Sequence, residues 1–165
     1  MTRPDPEALP IGLQSSEVVE GGLHLVLANG IGAIEPARLA MLRFLEPLAL
    51  DPLAVNRVEV VFEEAISNIL RHGFTPGSDQ SIAVLVASRA RAVVLTIEDD
   101  GIPFDPVSAP EPAPLTSLET APLGGLGISL MRKLAADMRY ETPTPDPAEA
   151  FQPRNRLTVS IATGG

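Results

Sequence analysis

A single α/β domain is the fold class this sequence predicts, and three observations carry the expectation. The chain has 165 residues, a length that normally supports one hydrophobic core. Its residues are 45% hydrophobic but only 4% aromatic, so the core is assembled from Leu, Val, Ile and Ala, ordinary material for layered α/β proteins. Segments with apolar residues at helical spacing are interspersed with short strand-like runs bounded by glycine and proline.

Residues 1–19, with Pro4, Pro6, Pro10 and scattered acids, read as a mobile leader with a short ordered piece near Ile11–Leu13. The folded domain then covers 20–165. His24–Ala28 has strand composition, and Ile34 to Leu50 reads as a helix with Leu39, Leu42 and Leu45 at helical spacing. Asp51-Pro52 is a cap followed by proline in the first helical position, so a second helix starts there and runs to about His72. Val55, Val58, Phe62, Ala65, Ile66 and Ile69 form its core stripe, and Glu64 and Asn68 lie well off it.

Gly73 and Pro76-Gly77 make a turn, after which Ser81–Ser88 and Ala92–Glu98 form a hairpin through Arg89-Ala90-Arg91. Five prolines between Pro106 and Pro122, with no apolar period, predict a long surface loop. Gly124–Gly127 opens a third helix to about Asp137, and a short strand follows at Met138–Glu141. Leu157, Val159 and Ile161 alternate with polar residues in a last strand, Asn155–Ala162.

Charge and composition exclude several functions. A formal net charge of -9 argues against nucleic acid, which is bound through excess Lys and Arg. The absence of cysteine removes disulfides, thiolate nucleophiles and Cys-ligated zinc. No apolar run reaches about 18 residues and no signal pattern opens the chain, so a soluble cytoplasmic protein without membrane contact is expected. The Walker glycine-lysine spacing and any dinucleotide-type glycine turn are absent.

Three groups carry chemistry. Glu64 and Asn68, four apart on a helix, converge on one ligand. Magnesium keeps waters and phosphates in its shell, so the Asn68 amide oxygen is a sufficient protein ligand. Glu64, one turn earlier, is placed to accept a proton from an attacking hydroxyl. Asp99, in the acidic turn Glu98-Asp99-Asp100-Gly101, is a candidate acceptor for an exocyclic amine such as adenine carries, and Gly101 lets the backbone approach the base. Gly124-Gly125-Leu126-Gly127, running directly into a helix, makes a backbone anion site for phosphates. Each group alone is equally compatible with a solvated helix face, a strand-ending turn or a loop exit. His24 reads as structural, and His72 beside Gly73 as a cap or lid contact.

Together and in this order, the three groups resemble the Bergerat-type (GHKL) ATPase fold, and within it the RsbW-like anti-sigma factor serine kinases, over about residues 22–162. Glu64-Ala65-x-x-Asn68-x-x-x-His72-Gly73 is similar to the family's asparagine box. Asp99-Asp100-Gly101-x-x-Phe104-Asp105-Pro106 resembles its first glycine box and Gly125-Leu126-Gly127-x-x-Leu130-Met131 its second. Asn155-Arg156-Leu157 is a further similarity, whereas Pro103 stands where many relatives carry glycine.

The resemblance implies an α/β two-layer sandwich, a mixed and mostly antiparallel sheet covered on one face by three helices, with a lid at about 107–123. It implies ATP and Mg2+ as cofactors, with Asn68 the magnesium ligand, Glu64 the general base and Asp99 the adenine acceptor. Gly101, Gly125 and Gly127 become nucleotide-facing backbone, and His72, Phe104, Gly124 and Leu126 join the nucleotide-binding positions. The phosphoryl acceptor in that family is a serine of a STAS-domain anti-anti-sigma protein, and the kinase dimer alternately holds a sigma factor. A homodimer is accordingly expected here, through the apolar first helix and the sheet edge. A histidine kinase catalytic domain is disfavoured by the short chain before Glu64. The rivals are an ATP-gated protein-binding module and an anti-sigma factor acting by sequestration alone; Glu64 favours the kinase, since a pure binder needs no base.

Overall fold

The computed structural model describes residues 8–111 and 125–164. Among these, six strands and three α-helices form one two-layer α/β sandwich, as follows. The chain opens with β1 (Leu13–Val19) and β2 (Gly22–Ala28), continues through α1 (Ile34–Leu45) and α2 (Pro52–Asn68), and returns as β3 (Ser81–Arg89) and β4 (Ala92–Asp99). Then come α3 (Gly125–Leu134), β5 (Asp137–Glu141) and β6 (Asn155–Ala162).

The sheet order is β1-β2-β3-β4-β6-β5, and every pairing in it is antiparallel. Among the described residues the expected mixed, mostly antiparallel sheet is thus antiparallel throughout. The reason is topological: β4 and β5 run the same way on either side of α3, but β6 inserts between them and pairs with both.

Alternation decides which face is covered. Leu23, Leu25 and Leu27, then Ile82, Val84 and Val86, then Val93, Leu95 and Ile97, and finally Leu157, Val159 and Ile161 are buried. They join Met41 and Leu45 of α1, Val58, Phe62 and Ile66 of α2, and Met131 of α3 in one core. Within α2 the buried stripe includes Ala54 and Val61, at i−4 and i+3 from Val58, while Val55 is only half-buried.

Residues 13–19, expected within a mobile leader, form the edge strand β1, paired from Val19↔Gly22 to Leu13↔Leu27. Leu13 is buried in the core, which anchors a segment whose polar composition hides its strand character. Residues 1–7 of that leader lie outside the described residues, as do 112–123 of the expected lid and Gly124. Helix α1 stops at Leu45 rather than Leu50 because Pro47 cannot donate to a helical bond, and a short 3-10 turn over Glu46–Leu48 takes its place. Asp51 caps α2 by accepting a hydrogen bond at Oδ1 from the Leu53 amide at 3.1 Å. Arg38 ties α1 to α2 through Glu59 at 2.6 Å.

Candidate active site

Helix α2 does not end as a regular α-helix. Ile69–Gly73 widens into a π-helical turn, with the Phe74 amide donating to the Ile69 carbonyl five residues back at 3.2 Å. Such turns re-aim side chains at helix ends. The turn is pinned against the loop after β4, where the Ile102 amide donates to the Gly73 carbonyl at 2.9 Å.

Two adjoining pockets open beside this helix end. The first is mostly apolar, with Ile69, Met131, Leu157, Ile102 and Phe104 in its walls and Asp99 and Asn155 among its polar groups. The second is polar and lies between α2 and the first turn of α3, lined by Glu64, Ser67, Asn68, Arg71, His72 and Gly127. Asn68 and His72 border both pockets. Asn68 and Glu64 are thus brought together as their four-residue spacing predicts, and α3 supplies the opposite wall.

Asp99 is buried at the end of β4. Its Oδ1 accepts from the Gly101 amide at 2.9 Å and from Asn155 Nδ2 at 3.0 Å. Among the described residues both donors go to that one oxygen, and Asp99 also lines the apolar pocket. Burial pushes the Asp99 carboxyl above its ordinary range, and the bonds from Gly101 and Asn155 oppose that shift.

Gly101 packs tightly against backbone: a Cβ on it would fall 2.6 Å from the Gly73 carbonyl oxygen and 2.9 Å from Asp99 Oδ1. The glycine is required for this backbone-to-backbone approach and for holding Asp99. Gly127 faces Glu64, whose Oε2 would lie 2.1 Å from a Cβ at that position. Gly125 begins α3 beside it, and Leu126 is exposed. Phe104, half-exposed, stands at the rim. His24 stays in β2, away from both pockets.

Asn155 is the residue whose role the sequence did not disclose. Besides bonding Asp99, its Nδ2 donates to the Gly101 carbonyl at 3.2 Å, while its Oδ1 accepts from Tyr140 Oη at 2.6 Å and from the Phe104 amide at 3.3 Å. Tyr140 is the one tyrosine in the chain, the single available signal of its part in this network. Burial raises the Tyr140 hydroxyl pKa, with Asp105 and Asp99 adding to the shift.

Arg132 of α3 braces the loop beside the first pocket. Its Nε and Nη2 donate to the Pro106 carbonyl at 3.1 and 2.7 Å, and Nη1 to Glu111 at 3.2 Å. Arg132 Nη2 also donates to the Ala109 carbonyl. The wall formed by Phe104 and Pro106 is therefore carried by the same helix that presents Gly127.

Comparison with known proteins agrees with this fold. The sequence pattern of the histidine kinase-like ATPase domain family matches residues 27–158. A serine/threonine-protein kinase, BtrW of Bordetella bronchiseptica, is 38% identical over 79 residues, which are 48% of this chain and 56% of that protein. An anti-sigma F factor of Priestia megaterium is 26% identical over 107 residues, 64% of this chain and 73% of the relative. Another, from Bacillus velezensis, is 23% identical over 126 residues, 76% of this chain and 86% of the relative.

Proposed function

Because the chain belongs to the histidine kinase-like ATPase domain family, we propose that it is an ATP- and Mg2+-dependent serine protein kinase acting on a STAS-domain anti-anti-sigma protein, and that it serves as an anti-sigma regulatory factor. The observation that carries the reading is the division of labour at Asp99. One carboxylate oxygen is saturated by Gly101 and Asn155, and the other is left to accept from the exocyclic amine of adenine between apolar walls. Relatives named as a serine/threonine-protein kinase and as anti-sigma F factors support the two halves of the proposal.

The polar pocket fits the phosphates and their metal. Among the described residues no three His, Cys, Asp or Glu side chains gather as a metal cluster. A magnesium ion here would thus take the Asn68 amide oxygen and complete its shell from phosphates and water. Bound ATP with magnesium supplies the transferable phosphoryl group and its counter-charge. Glu64, on the same helical face, accepts the proton of the attacking serine hydroxyl, and the glycine-bearing first turn of α3 offers backbone amides to phosphate oxygens. Phosphoryl transfer needs chiefly positioning and charge neutralisation, which a small scaffold can provide.

Among the described residues no helix is long and apolar enough to cross a membrane, and we place the protein's work in the cytoplasm, where ATP and sigma factors are found. Exposed Leu39 and Leu48 beside α1's surface and exposed Val18 on edge strand β1 support a homodimer and a sigma-binding face.

The test is transfer of label from γ-labelled ATP to a STAS-domain protein of the same genome, with Glu64→Ala and Asn68→Ala as controls. Label lost in both variants is the expected result. Transfer that survives Glu64→Ala removes the base assigned here; ATP binding without transfer leaves a nucleotide-gated binding module.

A further inference from the structure

We infer that Tyr140 sets base selectivity at this site, as a positioning residue that acts through Asn155 on the Asp99 carboxylate. It rests on the ATP reading above and deepens it, because it gives the edge strand β5 a part in recognising the exocyclic amine of the base.

Sheet register creates the arrangement. Asp99 and Asn155 are cross-strand partners at the ends of β4 and β6, and Tyr140 stands opposite Leu157, two residues further along β6. Tyr140, Leu157 and Asn155 therefore share the helix-covered face of the sheet. The β5–β6 pairing ends at Glu141↔Arg156, so Asn155 lies one step beyond it. Tyr140 reaches Asn155 from the diagonal position, a separation that an aromatic side chain can span.

Hydrogen bonding gives this contact a direction. The Tyr140 hydroxyl donates to Asn155 Oδ1 at 2.6 Å, closer than the Phe104 amide, which donates to the same oxygen at 3.3 Å. An amide side chain carries its acceptor and its donors on different atoms, so an anchor on one end orients the other. With Oδ1 held by Tyr140, Nδ2 is turned to Asp99 Oδ1 at 3.0 Å and to the Gly101 carbonyl at 3.2 Å. The relay ends in the apolar pocket, which Tyr140, Asn155 and Asp99 all line. The Tyr140 ring packs against the core, a task phenylalanine would perform equally well. The hydroxyl is what the relay requires.

Calorimetric titration of the full chain with magnesium tests the assignment, using wild type and Tyr140→Phe. The two ligands are ATP and purine riboside triphosphate, which has hydrogen in place of the exocyclic amine, and both proteins are titrated below their melting transitions. Wild type is expected to prefer ATP by about 10-fold or more, the range for a hydrogen bond to a charged group. Tyr140→Phe should weaken ATP by about 3- to 10-fold and leave purine riboside triphosphate within about twofold, which narrows the preference. A purely structural role would weaken both nucleotides alike. Equal weakening, or an unchanged preference, overturns the assignment and leaves the ATP reading standing. A wild type that binds both nucleotides without preference overturns the contact between Asp99 and adenine together with the assignment, and one that binds neither overturns the ATP reading as well.

Discussion

The carboxylate of Glu64 lies against the α-carbon of Gly127: a Cβ added there would stand 2.1 Å from Glu64 Oε2 and 3.1 Å from Cδ. A residue on α2 and a glycine 63 positions later therefore share one volume, and the glycine sets where the carboxylate rests.

Gly127→Ala should consequently act as a catalytic variant without being a folding variant. The displaced atoms are the mobile end of a side chain, so the stability change should stay within about 1 kcal/mol. With Glu64 pushed aside, phosphoryl transfer should fall by about 100-fold or more, as for loss of a general base. Initial rates for Gly127→Ala, Glu64→Ala and the double variant check this, since effects passing through one carboxylate do not add. Full additivity would separate the two residues.

Gly101→Ala should instead destabilise the fold. Its new methyl would meet backbone, the Gly73 carbonyl oxygen at 2.6 Å and carbon at 2.9 Å, together with Asp99 Oδ1. Neither backbone segment can yield cheaply, because the Ile102 amide bonds that same carbonyl. A loss of about 1–3 kcal/mol in urea denaturation is expected; an unchanged midpoint would mean that the two loops are freely displaced.

Asp99→Asn should lose ATP binding and keep or gain stability. The amide oxygen still accepts from Gly101 and Asn155, but an NH2 now meets the adenine amine. Burial holds the folded Asp99 pKa above its unfolded value, so ionisation is penalised in the native state. That penalty is absent below the ordinary carboxylate range, grows as pH rises from there through the raised native pKa, and is complete above it. The melting temperature of Asp99→Asn should therefore equal or exceed that of the parent near pH 7, with the advantage shrinking under acid conditions. An advantage that grows on acidification would contradict the assignment.

Asn155→Ala should cost roughly 2–3 kcal/mol, because it deprives Asp99 and Gly101 of a donor and Tyr140 and Phe104 of an acceptor. Tyr140→Phe removes only one partner and should cost about 1 kcal/mol. Chemical denaturation of the two single variants and the double measures their coupling. A Tyr140→Phe variant as damaging as Asn155→Ala would relocate the centre of the network.

Much of this molecule was legible in one dimension. The β3–β4 hairpin, the Asp51-Pro52 start of α2, the last strand at Asn155–Ala162 and the pairing of Glu64 with Asn68 follow from spacing and capping. Strand β1 was not legible, because LQSSEVV lacks a clear alternation and only the burial of Leu13 against the core reveals its place. The π-helical turn was hidden as well, since it depends on the Gly73 carbonyl being held by Ile102.

The sequence by itself determined the fold class and the candidate residues on each element, because helical period, strand alternation and capping act between neighbours in the chain. The tertiary structure alone decided what those residues do to one another: Gly101 making room for Gly73, Gly127 for Glu64, and Asn155 dividing the oxygens of Asp99. Those relations join residues from 28 to 63 positions apart, and no local rule of spacing reaches across such distances. Packing of α2 and α3 against the sheet, driven by burial of the shared core, is what brings them within van der Waals and hydrogen-bond range.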